Sequence, residues 1–99
     1  MNDTSDIALR LRETAPALRA RGVEHLAIFG SRARGDARPD SDLDVLLDVP
    51  EGVKFSLIDL VGVERMIGEA AGCPTGAILR DGAKPEFLAR IASDLIEIF

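Results

Sequence analysis

A Gly-Ser turn follows one apolar stretch of the chain, and two closely spaced carboxylates begin the next. The turn is Gly30 and Ser31, and the carboxylates are Asp42 and Asp44. Successive side chains of a strand point to opposite faces, so these carboxylates share a face with Cα atoms about 6.6 Å apart. Two carboxylates this close repel each other unless a cation lies between them. This order of residues along the chain predicts two strands, a tight turn between them and a site for a cation.

The residue types in this segment are those that bind a phosphate group and its metal ion. Mg²⁺ takes oxygen ligands and is usually held by one or two carboxylates together with substrate phosphates. Gly30 permits a sharp turn because it has no Cβ. Ser31 is predicted to begin a short helix over 31–36, whose N–H groups and positive dipole end suit a phosphate. The segment therefore predicts a site for a nucleoside triphosphate and Mg²⁺.

Two other interpretations account for the same carboxylates. Positions 1, 3, 5, 9 and 12 of a calcium loop would be acidic here, namely Asp40, Asp42, Asp44, Asp48 and Glu51. The sixth position of such a loop requires glycine, but it is Val45, a β-branched residue that favours a strand. The carboxylates could also form a solvated edge with no ligand, an interpretation that the Gly-Ser turn at this distance disfavours.

The hydrophobic pattern predicts helices alternating with short strands. We expect a helix over 6–21 that Pro16 interrupts, followed by strands over 24–29 and 43–49. Ser56 and Asp59 are typical of a capping box that begins a second long helix, ending near Ala71. Its expected core face comprises Leu57, Leu60, Val61 and Ile67.

The last quarter of the chain predicts a strand and a helix. A third strand is expected over 75–80, and Pro85 suits the first turn of a helix that continues to the C-terminus. Ile98 and Phe99 could pack against the core or contact a partner. The predicted fold class is α/β (α+β), a small mixed β-sheet covered by helices, with residues 1–99 as one domain.

Charge and composition exclude several classes of function. The net charge is −5, so general binding of nucleic acid is not expected. No apolar run reaches the roughly 20 residues that a membrane helix needs. Cys73 is the only cysteine, and no signal-peptide pattern is present, which favours the cytoplasm. Arg32, Arg34 and Arg38 are a local basic exception that could face phosphates, an acidic partner or solvent.

The motif and the order of elements resemble the minimal nucleotidyltransferases (MNT) of the DNA polymerase β superfamily. The pattern of that family, Gly-Ser, about ten residues and Asp-x-Asp, is present at Gly30, Ser31, Asp42 and Asp44. The resemblance implies that Gly30 and Ser31 contact the triphosphate of ATP, and that Asp42 and Asp44 bind Mg²⁺ and support catalysis. Arg34 is a further candidate for nucleotide binding because it lies beside this turn.

The chain departs from the family at the third strand. Minimal nucleotidyltransferases carry a further Asp there, and counting back from Lys84 and Pro85 places Gly76 at that position. Asp81 lies about 16 Å farther along, and Asp48 is about 13 Å from Asp44, so neither is a good replacement. We therefore expect either impaired chemistry or a different register of this strand.

Small members of the family resemble the MntA-like antitoxins of HEPN/MNT toxin–antitoxin pairs. That resemblance implies transfer of AMP from ATP to a hydroxyl, plausibly of a tyrosine, on a helical HEPN-type toxin. The alternative is a catalytically impaired fold that acts by binding its partner, which Gly76 favours. A small-molecule acceptor such as an antibiotic is a third hypothesis, disfavoured because the chain has little room for a second domain.

Overall fold

A four-stranded mixed sheet organises the structure, a computed structural model that describes residues 4–99. The strand order is β3-β2-β1-β4, with β2 parallel to β3 and antiparallel to β1, and β4 antiparallel to β1. The strands are β1 (His25–Phe29), β2 (Leu43–Asp48), β3 (Thr75–Leu79) and β4 (Ile96–Glu97). The helices are α1 (Thr4–Glu13), α2 (Ala15–Ala20), α3 (Ser31–Arg34), α4 (Leu57–Ala71) and α5 (Pro85–Ile91). This arrangement confirms the predicted fold class.

Helices cover both faces of the sheet. On one face, residues of β1 and β2 such as Ile28 and Val45 pack in one buried cluster with α1 and α4 residues such as Leu11 and Ile67. On the other face, Phe29 and Leu46 pack against α5. Because strand side chains alternate, Asp44 lies on the face that α5 covers. Within residues 4–99, no helix combines the length and apolar character needed to cross a membrane.

The first helical segment is divided in two near Pro16, as the sequence predicts. The expected helix over 6–21 is interrupted after Glu13, and α2 begins with Pro16 in its first turn. The Thr14 hydroxyl donates to the Leu11 carbonyl oxygen at 2.6 Å across this break. Proline is tolerated there because the first-turn N–H groups have no acceptor within the helix.

The predicted capping box of α4 is confirmed, but its predicted core face is partly wrong. The Ser56 hydroxyl accepts from the Asp59 N–H, and the Asp59 carboxylate accepts from the Ser56 N–H. The buried side chains are Val63, Ile67 and Ala71, whereas Leu57 is 75% and Val61 is 55% exposed. At 3.6 residues per turn, Val61 lies about 200° round the axis from Val63, so the two cannot share a face.

The C-terminal helix is shorter than the pattern predicts. Helix α5 ends at Ile91, and Ile96–Glu97 form β4 instead of extending the helix. The Ile98 N–H donates to the Leu26 carbonyl oxygen at 2.8 Å, so backbone pairing with β1 overrides the helical spacing. Ile98 is buried, and the Arg19 guanidinium lies 5.0 Å from the centre of the Phe99 ring. The last two residues therefore pack against the chain itself.

Candidate active site

The Gly-Ser turn and one carboxylate of the predicted pair meet at one end of the sheet. Phe29, the last residue of β1, pairs with Asp44 near the start of β2. Gly30 follows directly, and a Cβ built on it would lie 2.4 Å from the Asp44 Oδ2 atom. The structure therefore places the predicted phosphate turn in contact with a predicted metal ligand.

Gly30 is required by its backbone conformation as well as by this contact. Its φ of 77° and ψ of −159° fall in a region that is essentially restricted to glycine. The turn leads into α3, whose first N–H groups have no acceptor within the helix and lie at its start. From the sequence, Gly30 is expected because a sharp turn needs a residue with no Cβ. The structure adds a second reason, which is that any side chain at Gly30 would collide with Asp44.

We expect Gly30→Val to weaken ATP binding by about tenfold or more, equivalent to about 1.4 kcal/mol. The added side chain displaces the Asp44 carboxylate, and the backbone strain costs about 1–3 kcal/mol of stability. Gly35→Ala is the matched control because Gly35 also has a positive φ, of 84°, but a Cβ there would meet nothing within 4 Å. Calorimetry with ATP and thermal melts measure both effects. A folded Gly30→Val protein with full affinity would remove Gly30 from the site.

The two carboxylates differ in environment. Asp44 is partly buried, and Asp42 is exposed one residue before β2 begins. Burial raises the pKa of Asp44, the nearby charge of Asp42 raises it further, and Arg34 opposes both effects. Two carboxylates whose mutual repulsion a cation can relieve are characteristic of a metal site. Both side chains offer the hard oxygen atoms that Mg²⁺ prefers. The donor set therefore fits Mg²⁺, although no cluster of three or more metal-ligating side chains occurs within residues 4–99.

Arg34 lies within electrostatic range of Asp44 but bonds to other carboxylates. Its Nη1 atom donates to Asp94 at 2.9 Å, and its Nε atom donates to Asp36 at 3.2 Å. The bond to Asp94, and to a smaller extent the bond to Asp36, raises the pKa of the Arg34 guanidinium. The guanidinium therefore stays charged. The structure therefore places the Arg34 guanidinium within electrostatic range of Asp44, where Asp94 and Asp36 hold it in place.

Arg32, which was expected with Arg34 and Arg38 to face phosphates, an acidic partner or solvent, is instead a buried positioning residue. Its side chain is buried, and it donates to the Ser41 carbonyl oxygen at 2.7 Å and the Pro39 carbonyl oxygen at 3.4 Å. These bonds attach α3 to the loop that immediately precedes Asp42. The buried arginine thus links the Gly30 turn to the segment that bears the exposed Asp42 carboxylate. Nothing in the local sequence distinguishes Arg32 from Arg34 or Arg38 in this respect.

The register of the third strand agrees with the sequence analysis. Gly76 pairs with Asp44 in the parallel β2–β3 ladder, and a Cβ on Gly76 would lie 3.9 Å from the Asp44 Oδ1 atom. Asp48 bonds to the Arg80 Nε atom at 2.6 Å, and Asp81 lies beyond the opposite end of β3. Neither therefore supplies a third carboxylate.

The calcium-loop interpretation is wrong. Residues Leu43–Asp48 form a continuous strand, so the carboxylates that this interpretation requires cannot wrap round one ion. Asp48, its ninth position, accepts a hydrogen bond from Arg80, which lies one residue beyond β3.

The sheet order, the turn at Gly30 and the carboxylates at the start of β2 and just before it define a nucleotidyltransferase fold. A solved structure provisionally described as a minimal nucleotidyltransferase superposes with a TM-score of 0.79 at 26% identity, covering 95% of this chain and 94% of the other. The nucleotidyltransferase domain family matches residues 11–98. The chain belongs to this family.

Similar proteins of known sequence are named as protein adenylyltransferases. A Methanocaldococcus jannaschii protein provisionally given that name is 31% identical over 87 residues, which is 88% of this chain and 91% of the relative. The protein adenylyltransferase MntA of Thermococcus cleftensis is 28% identical over 77 residues, or 78% of this chain and 76% of the relative. This member of the nucleotidyltransferase domain family is therefore similar to proteins that are named as protein adenylyltransferases.

Two further solved structures share the fold at low identity. One is a toxin–antitoxin complex with AMP-PNP, with a TM-score of 0.71 at 13% identity over 89% of this chain and 72% of the other. The second is a tri-AMPylated Shewanella oneidensis HEPN toxin in complex with MNT antitoxin. Its TM-score is 0.65 at 11% identity, and the superposition covers 94% of this chain and 71% of the other. At these identities the likeness concerns the fold alone.

Proposed function

We propose that residues 1–99 form one minimal nucleotidyltransferase domain that transfers AMP from ATP to a hydroxyl of a protein partner, with Mg²⁺. The observation that carries this proposal is the contact between the Gly30 turn and Asp44, which brings phosphate-binding backbone against a half-buried carboxylate. Relatives named as protein adenylyltransferases supply the kind of acceptor.

Each residue of the site has a distinct role in this proposal. Gly30 and Ser31 bind the triphosphate through backbone N–H groups at the start of α3. Asp42 and Asp44 are the ligands for Mg²⁺, which when bound neutralises charge on the transferring phosphate and the leaving oxygen. Arg34, held by Asp94, contributes positive charge toward the phosphates.

The proposed reaction balances without a further reactant. The acceptor oxygen forms a bond to the α-phosphorus of ATP, and the bond from that phosphorus to the oxygen bridging to the β-phosphate breaks. Pyrophosphate leaves with the bonding electrons, and the hydroxyl proton passes to solvent. Asp42 and Asp44 would hold Mg²⁺, and the ion would supply the positive charge that this step needs.

We further propose that the partner is a HEPN-type toxin and that the chain is its antitoxin, acting in the cytoplasm. A toxin–antitoxin pair is the context of two structures with this fold. An exposed apolar face on α4, formed by Leu57, Ile58 and Val61, supports a protein partner because exposed apolar patches mark interaction surfaces. The net charge of −5 disfavours nucleic acid as a direct ligand.

A second candidate function is neutralisation of the partner by binding alone. Gly76 favours it, because the strand next to Asp44 offers no third carboxylate. Both candidates predict a complex with the toxin, and they differ in whether the toxin becomes modified.

The test incubates the chain with ATP, Mg²⁺ and a purified HEPN-type protein, for which a short helical protein encoded in a neighbouring reading frame is the first candidate. Mass spectrometry of that protein should show discrete additions of AMP. No addition should occur when ATP is replaced by its α,β-methylene analogue, because the carbon bridge between the α- and β-phosphorus cannot act as the leaving group. A complex without any mass addition would favour neutralisation by binding, and the absence of both complex and modification would contradict the partner assignment.

A further inference from the structure

An open recess of about 360 Å³ lies between β3 and the start of α5. Its lining residues are Ile78, Ala83, Lys84, Phe87 and Arg90. Ile78 is 36% exposed although it belongs to a strand, and the Arg90 guanidinium lies 5.6 Å from the centre of the Phe87 ring. The recess therefore combines an apolar wall with two cations, and none of its five lining residues is acidic.

The recess lies next to the proposed site along β3. Ile78 follows Gly76 by two residues on the same face of β3, a separation of about 6.6 Å. Gly76 has no side chain, and its Cα is the part of β3 that faces the Asp44 carboxylate. On this face of β3, therefore, only the backbone of Gly76 lies between the Asp44 carboxylate and the Ile78 side chain.

The recess and the phosphate turn lie on opposite sides of Asp44. The strand order places β1, which ends at the Gly30 turn, on one side of β2, and β3 on the other. In phosphoryl and nucleotidyl transfer the attacking and leaving oxygens are roughly in line through phosphorus. If the pyrophosphate end of ATP occupies the turn beside β1, the attacking hydroxyl approaches from the side of β3.

We infer that this recess binds the acceptor segment of the protein substrate, and that the segment is acidic. The inference rests on the proposed function and adds to it where the acceptor binds and what flanks its hydroxyl. An apolar side chain of the acceptor segment contacts Ile78 and Phe87. Carboxylates next to the hydroxyl pair with Lys84 and Arg90, which otherwise face solvent at the rim.

The charge preference makes the inference specific. The whole chain carries a net charge of −5, so long-range electrostatics favour a basic peptide over an acidic one. Preference for an acidic peptide must therefore come from a local cationic site. Exposed ion pairs are worth about 0.2–1 kcal/mol each, so the expected effect of one cation is up to about fivefold in affinity.

The experiment uses two synthetic peptides, each with one tyrosine, flanked by glutamates in one and by lysines in the other. Amide NMR spectra of the whole chain follow the titrations, since they detect weak binding and locate it. The glutamate peptide should shift the amides of Ile78, Ala83, Lys84 and Phe87, and the lysine peptide should not. Lys84→Glu should weaken the glutamate peptide by about fivefold. Lys54→Glu, a change of the only other lysine, should leave the affinity unchanged.

A parallel titration with ATP and Mg²⁺ separates this inference from the proposed function. ATP should shift the amides of Gly30, Ser31 and Asp44. If it does and the glutamate peptide shifts no recess amide, or binds Lys84→Glu equally well, the acceptor assignment is wrong and the proposed function stands. Shifts of the recess amides by ATP in place of the peptide would assign the recess to the nucleotide and also overturn the inference. If ATP leaves the turn amides unmoved, the proposed function itself fails.

Discussion

Replacing both Asp42 and Asp44 by Asn should abolish Mg²⁺-dependent binding of ATP. Asparagine retains the size of each side chain but removes the charge that attracts the ion. Loss of an outer-shell partner typically costs 10–100-fold in metal affinity, so loss of both ligand charges should cost more than about 100-fold. Calorimetry with ATP, with and without Mg²⁺, measures the effect.

The control for this variant removes two carboxylates elsewhere. Asp40→Asn with Asp81→Asn changes the net charge equally, and both residues lie in exposed turns outside the site. The control protein should bind ATP like the parent chain. Equal binding by the Asp42 and Asp44 variant would contradict the metal assignment.

The same carboxylate predicts a dependence of stability on pH. Because burial and Asp42 raise the folded-state pKa of Asp44 above its ordinary value of 3.8, the ionised group disfavours folding. Without metal, this penalty develops as pH rises from 3.8 through the raised pKa, and it persists at pH 7. Asp44→Asn should therefore melt at a higher temperature at pH 7, with the difference lost below that window. Added Mg²⁺ should stabilise only the parent chain.

Gly76→Asp should raise AMP transfer to the partner by about 10²–10⁴-fold, the usual contribution of a positioned general base. The observed register places this position beside Asp44, where a Cβ would make ordinary van der Waals contact at 3.9 Å. The new carboxylate could then bind the ion and accept the proton of the attacking hydroxyl. Mass spectrometry of the partner after timed incubation with ATP measures the rate.

Gly76→Asn distinguishes this effect from a change in the strand. Asparagine adds the same shape without the charge, so it should leave the transfer rate near that of the parent chain. Brisk transfer by the parent chain, with no gain in the Asp variant, would show that the third carboxylate has no part in this protein's chemistry.

The sequence alone determined the features that depend on neighbouring residues. The capping box at Ser56 and the break at Pro16 follow from local hydrogen bonding and from the missing N–H of proline. The turn at Gly30 and the strand that bears Asp44 follow from side-chain size and alternation. These rules act within a few residues, which is why the fold class and the elements around the candidate site were predictable.

Tertiary structure decided which faces and edges of these elements are covered. Residues 96–97 have helical spacing with α5, yet they form β4 because the open edge of β1 offers backbone partners. Likewise, Leu57 and Val61 face solvent because the sheet and α1 contact the other side of α4. The bonds of Arg32 to the loop before Asp42 also join residues whose pairing no local pattern encodes. Burial and backbone pairing depend on distant parts of the chain, so only the assembled sheet could select among alternatives that local propensity left equal.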